Sequence, residues 1–117
     1  MITFERVRRI GVTLPGVEAA TRYNGLPVLK VGGRFMATLA THPSAEPGTL
    51  VVRADPDDRP LMLEDAPETY YLTEYYRKYP VVLVRLSAIH RDTLRDVLAM
   101  SRRLTLTENA NRNRRTR

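Results

Sequence analysis

The apolar positions of this chain change period twice. Near the start, Phe4, Val7, Ile10, Gly11 and Leu14 recur at helical spacing, which predicts an amphipathic helix from about Phe4 to Val12 with Thr3 as its N-cap. Glu5, Arg6, Arg8 and Arg9 fall on or beside the opposite face, and Pro15–Gly16 turns the chain. Strand signals follow. Two apolar runs, Pro27–Val31 and Arg34–Ala40, are separated only by Gly32–Gly33, a pair that tolerates the positive φ angles of a type I′ hairpin turn. After the loop THPSAEPG, Thr49–Ala54 reads as another strand. Asp55 or Asp57 is placed to cap a short helix over Leu61, Met62 and Leu63. Tyr70–Thr73 and Val81–Leu86 read as strands, the latter entered by Pro80, where a missing N–H is tolerated. The period returns to helical from about Ile89 to Leu104, with Leu94, Val97, Leu98, Ser101 and Leu104 as the inner stripe. Ser87 stands ready to cap that helix, and Arg102 and Arg103 suit its C-terminal end. The order helix, antiparallel strands, helix predicts an α+β fold with N- and C-terminal helices packed on one face of an antiparallel sheet.

Strand alternation assigns faces. A two-residue turn pairs Val31 with Arg34, so Val28, Lys30, Phe35, Ala37 and Leu39 share one face under strict alternation. Phe35, Leu39, Leu50, Val52, Val82, Val84 and Leu86 are then expected beneath the helices. Arg34, Arg53 and Arg85, from three strands, are expected together on the open face, where guanidinium forks suit phosphates. Lys30 fits this scheme poorly, since it falls on the core face and has to snorkel out. An open sheet face also needs charge merely to be solvated.

Five of the six tyrosines lie in the segment YYLTEYYRKYP, Tyr70–Pro80, around the cationic pair Arg77–Lys78. Tyrosine joins an apolar ring to a polar tip, so such a cluster suits an interface, a stacking surface for bases, or the edge of a core. Tyr71, Tyr75 and Tyr79 recur every four residues, as the side of a short helical turn would require.

At 117 residues with 43% apolar composition the chain is expected to fold as one domain with its own core. The formal net charge is +6. Four arginines against one glutamate give the segment Glu108–Arg117 a net +3, half of the total. That segment has no large apolar residue, so residues 1–107 are expected to form the domain and residues 108–117 a flexible basic arm. Arg112, Arg114, Arg115 and Arg117 of the arm suit polyanions, or simply solubilise the chain end. With no cysteine, disulfides and thiolate metal sites are excluded. The charged N-terminal residues lack the apolar run of a secretory leader, and no stretch is apolar enough for a membrane span, so a cytoplasmic location is expected.

Catalytic patterns are absent. His42 and His90 lie in different contexts with no zinc-site spacing, and Ser44, Ser87 and Ser101 lack a nucleophile elbow. Gly32–Gly33 does not open a helix, so it is no phosphate loop. Asp55, Asp57 and Asp58 are explained by capping and turn formation. No enzyme activity, metal or cofactor is expected.

The stretches LPGVEAATRYNGLPVLKVGGRFMATL (Leu14–Leu39), LVVRADPDDRPLML (Leu50–Leu63) and VVLVRLSAIHRDTLRDVLAMSRRLT (Val81–Thr105) together resemble the MmcQ/YjbR family of small bacterial proteins. The LPG turn followed by the KVGGRF hairpin is the most specific part. The resemblance implies a compact α+β fold similar to secretion-chaperone-like and frataxin-like folds, and DNA binding, which is commonly ascribed to the family from its shape. It supplies no catalytic residues. Many members carry a tryptophan at the start of the last strand, where this chain has Tyr79–Pro80–Val81.

Two functional expectations follow. The first is a nucleic-acid-binding module, for DNA with low sequence specificity, using Arg34, Arg53, Arg85, Arg77, Lys78 and the arm arginines. The alternative is a protein-interaction or chaperone-like module using segment 70–80.

Overall fold

In the computed structural model, residues 2–115 are described, with side chains described through residue 111. The elements run α1 (Phe4–Gly11), β1 (Val17–Thr21), β2 (Pro27–Val31), β3 (Arg34–Leu39), β4 (Thr49–Arg53), α2 (Arg59–Asp65), β5 (Tyr70–Tyr71), α3 (Glu74–Arg77), β6 (Val81–Arg85) and α4 (Arg91–Arg115). Thr3 caps α1, accepting from the Arg6 N–H, as the sequence predicts. Gly32 and Gly33 take φ of 60° and 81°, so the hairpin turn has the conformation its two glycines were expected to allow.

All strands pair antiparallel in one six-stranded sheet, in the order β1-β2-β3-β4-β6-β5. This is the expected α+β architecture. Helices α1 and α4 cover one face. Val7 of α1 and Leu94, Val97 and Leu98 of α4 pack there on Leu29, Val31, Leu50, Val52, Val82 and Val84. Gly11, at the end of α1, lets the helix approach the sheet closely; a Cβ there would lie 2.5 Å from Leu29 Cδ1.

The face assignment is corrected at one point. Lys30 pairs with Phe35 but Leu29 pairs with Ala37, so Met36 is an extra residue, a β-bulge in β3. Before the bulge Phe35 shares a face with Lys30, while beyond it Met36 and Ala37 both enter the core under the helices. Phe35 therefore lies on the far face, not in the helical core, and Lys30 shares that far face without having to snorkel. The carbonyls at the bulge are satisfied from two directions. Ser101 Oγ of α4 donates to the Met36 carbonyl at 2.6 Å, and Arg53 Nε donates to the Phe35 carbonyl at 2.7 Å. This explains a serine in the inner stripe of α4.

Three further expectations change. β1 is a strand the sequence reading passed over, because an edge strand with mostly exposed side chains shows little apolar alternation. Asp58, not Asp55 or Asp57, occupies the N-cap position of α2, and its side chain makes no capping bond; Asp55 Oδ1 instead accepts from the Asp57 N–H in a turn. Finally, α4 continues to Arg115, within the segment 108–117 expected to be a flexible arm. Glu108 and Asn109 tie it to the sheet, Glu108 to Arg53 and Asn109 Nδ2 to the Gly32 carbonyl. Polar tertiary contacts, rather than apolar burial, hold this part of the helix in place.

Candidate nucleic-acid interface

The three strand arginines do not form one surface. Arg34 pairs with Val31 and so belongs to the helical side, where its guanidinium lies 3.6 Å from Glu108 and 3.4 Å from Asn109 Oδ1. Arg53 and Arg85 do share the far face, but at opposite ends of the β4–β6 ladder, where the partners are Arg53↔Val81 and Thr49↔Arg85. Each is committed to the protein. Arg53, only 7% exposed, bonds the Phe35 carbonyl, pairs with Glu108 at 3.2 Å and lies 4.3 Å over the Phe35 ring. Burial lowers its pKa; Glu108 opposes that shift and Arg34 adds to it. Arg85 grips both carboxylate oxygens of Glu46, donates to the Pro67 and Glu68 carbonyls, and covers the Tyr71 ring at 4.2 Å. The bidentate bond holds Arg85 above the usual guanidinium range and Glu46 below the usual carboxylate range. The phosphate-ready trio expected from alternation is thus two structural ties and one helix anchor, because each fork finds a carboxylate or carbonyl that the sequence pattern cannot place.

The tyrosine segment divides. Tyr70 packs in the core under the helices, and burial raises its pKa. Tyr71 and Tyr76 join Val51, Val81 and Leu83 in a second apolar cluster on the far face. Tyr71 Oη lies 2.6 Å from Thr49 Oγ1 and accepts from the Glu46 N–H, while Tyr76 Oη accepts from the His42 N–H. Tyr75 and Tyr79 remain exposed. The four-residue spacing does not mark one helical face: Tyr71 is in β5, α3 spans only Glu74–Arg77, and Tyr79 follows in the turn to β6. Of the cationic pair, Arg77 is exposed at the end of α3, and Lys78 places Nζ 4.8 Å from the Tyr75 ring centroid and 5.6 Å from that of Tyr79. Arg112, Arg114 and Arg115 fall in the last turns of α4, where only the backbone is described; Arg117 lies outside the described residues.

What the far face does form is a cleft of about 580 Å³. Its floor is laid by alternate residues of four strands: Val28 and Lys30 of β2, Phe35 and Thr38 of β3, Val51 and Arg53 of β4, and Val81 of β6. The turn from β1 to β2, with Arg22 and Tyr23, forms one wall; Tyr75, Tyr76 and Tyr79 of α3 and its exit form the other. At strand spacing these walls stand about 14 Å apart. Among the described residues the lining holds three cations, Arg22, Lys30 and Arg53, and no carboxylate. Glu18, the cross-strand neighbour of Lys30, and Glu108, paired with Arg53 at 3.2 Å, lie outside the lining. Sequence reasoning missed Arg22, Lys30 and Phe35 as site residues because the bulge that brings the latter two to this face leaves no mark in the alternation.

Arg59 was missed as well. Its Nη1 donates to the carbonyls of Arg77, Tyr79 and Val81 at 3.1, 2.9 and 3.3 Å, so α2 fixes the turn that presents Tyr79. His42 stacks on Tyr75 with centroids 3.6 Å apart and planes 10° from parallel, and its Nδ1 meets the Ser44 N–H and Oγ. The neighbouring Tyr79 hydroxyl is the main cause of a raised Tyr75 pKa. Among the described residues no group of three His, Asp or Glu side chains is placed to hold a metal, and no helix is long and apolar enough to cross a membrane.

Comparison with known proteins finds a match to the YjbR family model over residues 12–104. The structure is similar to the crystal structure of Deinococcus radiodurans protein DR2400, which carries a DUF419 domain: the TM-score is 0.66 at 22% identity, covering 86% of this chain and 76% of that one. That likeness is one of fold. No curated protein matches the chain.

Proposed function

The chain belongs to the YjbR family, and we propose that it is a non-enzymatic nucleic-acid-binding module, with DNA as its ligand and little sequence specificity. The observation that supports this most is the lining of the sheet cleft: among the described residues, three cations, five aromatic rings and no carboxylate within one concavity. Cations there neutralise phosphate and rings tolerate any base, which gives affinity without a sequence code. The proposed contacts shift accordingly. Arg22 and Lys30 at the cleft, aided by Lys78, whose ammonium lies over the Tyr75 and Tyr79 rings of its wall, and by Arg77 next to it in the chain, take the role first expected of Arg34, Arg53 and Arg85. Among the described residues neither Arg22 nor Lys30 has a salt-bridge partner, so phosphate binding at these two sites breaks no ion pair.

The test is fluorescence anisotropy of a labelled DNA oligomer at low salt, followed by a salt titration. Wild type is expected to bind. Arg22→Ala combined with Lys30→Ala is expected to weaken binding and reduce the slope of log affinity against log salt by about 1.4 for a single strand. Absence of binding at low salt, or a slope unmoved by the double variant, overturns the proposal.

A further inference from the structure

The aromatic rings around the cleft differ in one respect that bears on ligand class: most of their faces are already taken. Phe35 lies under the Arg53 guanidinium and Tyr71 under that of Arg85. Tyr76 is buried with its hydroxyl held by the His42 backbone. Tyr75 has His42 stacked on one face at 3.6 Å, which leaves the other face to the Lys78 ammonium. None of these four can accept a base without losing a contact it already makes. Tyr79 is different. It lines the cleft with 43% of its surface exposed; among the described residues its ring meets Tyr75 at a tilt, with centroids 5.7 Å apart and planes at 55°, and the Lys78 ammonium at 5.6 Å, and Arg59 holds its carbonyl. Its backbone is thus held, while no described ring stacks parallel on it and no described guanidinium sits on its face, the preorganised condition in which stacking costs least ordering. On the opposite wall Tyr23 is 97% exposed.

Within the nucleic-acid reading, on which this step rests, we infer that the cleft takes unpaired bases, with Tyr79 as a stacking residue, so that the ligand is single-stranded rather than duplex. A duplex keeps its base faces inside its own stack and offers proteins phosphates and groove edges. A ring that binds by stacking takes only a base that has left such a stack. The cations of the cleft meanwhile hold the backbone of the strand, and since every base has a π-face the site does not read sequence.

The experiment uses three labelled ligands: an oligothymidylate of about twelve nucleotides, an abasic strand of equal phosphate number, and a duplex of that length, which carries about twice the phosphates and so is favoured on charge alone. Wild type is expected to bind the oligothymidylate about tenfold more tightly than either of the others. Tyr79→Ala is expected to reduce oligothymidylate affinity about tenfold, to the level of the abasic strand, while Tyr79→Phe, which keeps the ring, preserves it. Thermal unfolding of both variants confirms that they are folded. Equal affinity of wild type for all three ligands, preference for the duplex, or full oligothymidylate affinity in a folded Tyr79→Ala protein overturns base stacking and leaves the phosphate reading standing. Failure of all three ligands to bind at low salt overturns both.

Discussion

Arg53 is tied to Phe35 twice: its Nε donates to the Phe35 carbonyl at 2.7 Å, and its guanidinium covers the Phe35 ring at 4.3 Å. Because the bulge at Met36 turns Phe35 onto the far face, this side chain closes the ladder irregularity and floors the cleft in the same stroke. Its third contact, to Glu108, ties the sheet to α4.

Arg53→Ala is therefore expected to act on stability. Removing it leaves a bulge carbonyl without its donor and takes away one of the two cations beside Glu108. A loss of about 2 kcal/mol in urea denaturation is expected. Arg53→Lys is expected to recover little of it, since a single ammonium cannot reproduce the planar fork. Wild-type stability in either variant contradicts the structural role.

The tyrosine segment gives a second test, in which stability and binding separate. Tyr76 is buried and its hydroxyl is bonded, so Tyr76→Ala is expected to lose about 3 kcal/mol or more. Tyr79 is half exposed, so Tyr79→Ala is expected to lose less than about 1 kcal/mol. Chemical denaturation of the two variants measures the difference, and equal losses contradict it.

The Glu46–Arg85 pair predicts a pH dependence. Arg85 lowers the Glu46 pKa in the folded state relative to a free carboxyl, so the pair stabilises above the unfolded value, about 4.3, and that contribution disappears as pH falls through the folded value. The thermal midpoint of wild type is expected to exceed that of Glu46→Gln near neutral pH, with the gap closing as pH falls below the free carboxyl value of about 4.3. Glu46 is exposed, so the gap is small even where it is full. A gap that does not change with pH contradicts the assignment.

How far the chain discloses itself depends on where the deciding contact lies. The Gly32–Gly33 turn, the Thr3 cap and the apolar run of β6 are decided by neighbours in sequence, and these were legible. The family and the α+β fold were legible from the same stretches. Met36 was not: nothing in Arg34–Leu39 says which residue is the extra one, since the carbonyls it leaves are answered by Ser101 and Arg53, far along the chain. One such residue was enough to move Phe35 and Lys30 between faces and hence to relocate the candidate site. The end of α4 escaped for a similar reason, because Glu108 and Asn109 find polar partners 55 and 77 residues away.

Nucleic acid is proposed to enter the sheet cleft. Amide chemical-shift mapping of the ¹⁵N-labelled protein titrated with a short DNA strand at low salt tests it most directly. The expected perturbations cluster at Arg22, Lys30, Thr38, Val51 and Tyr79, on the floor and the two walls. Perturbations confined to the outer surfaces of α1 and α4, around Arg6, Arg9 and Arg103, contradict the claim, as does a spectrum that DNA leaves unchanged.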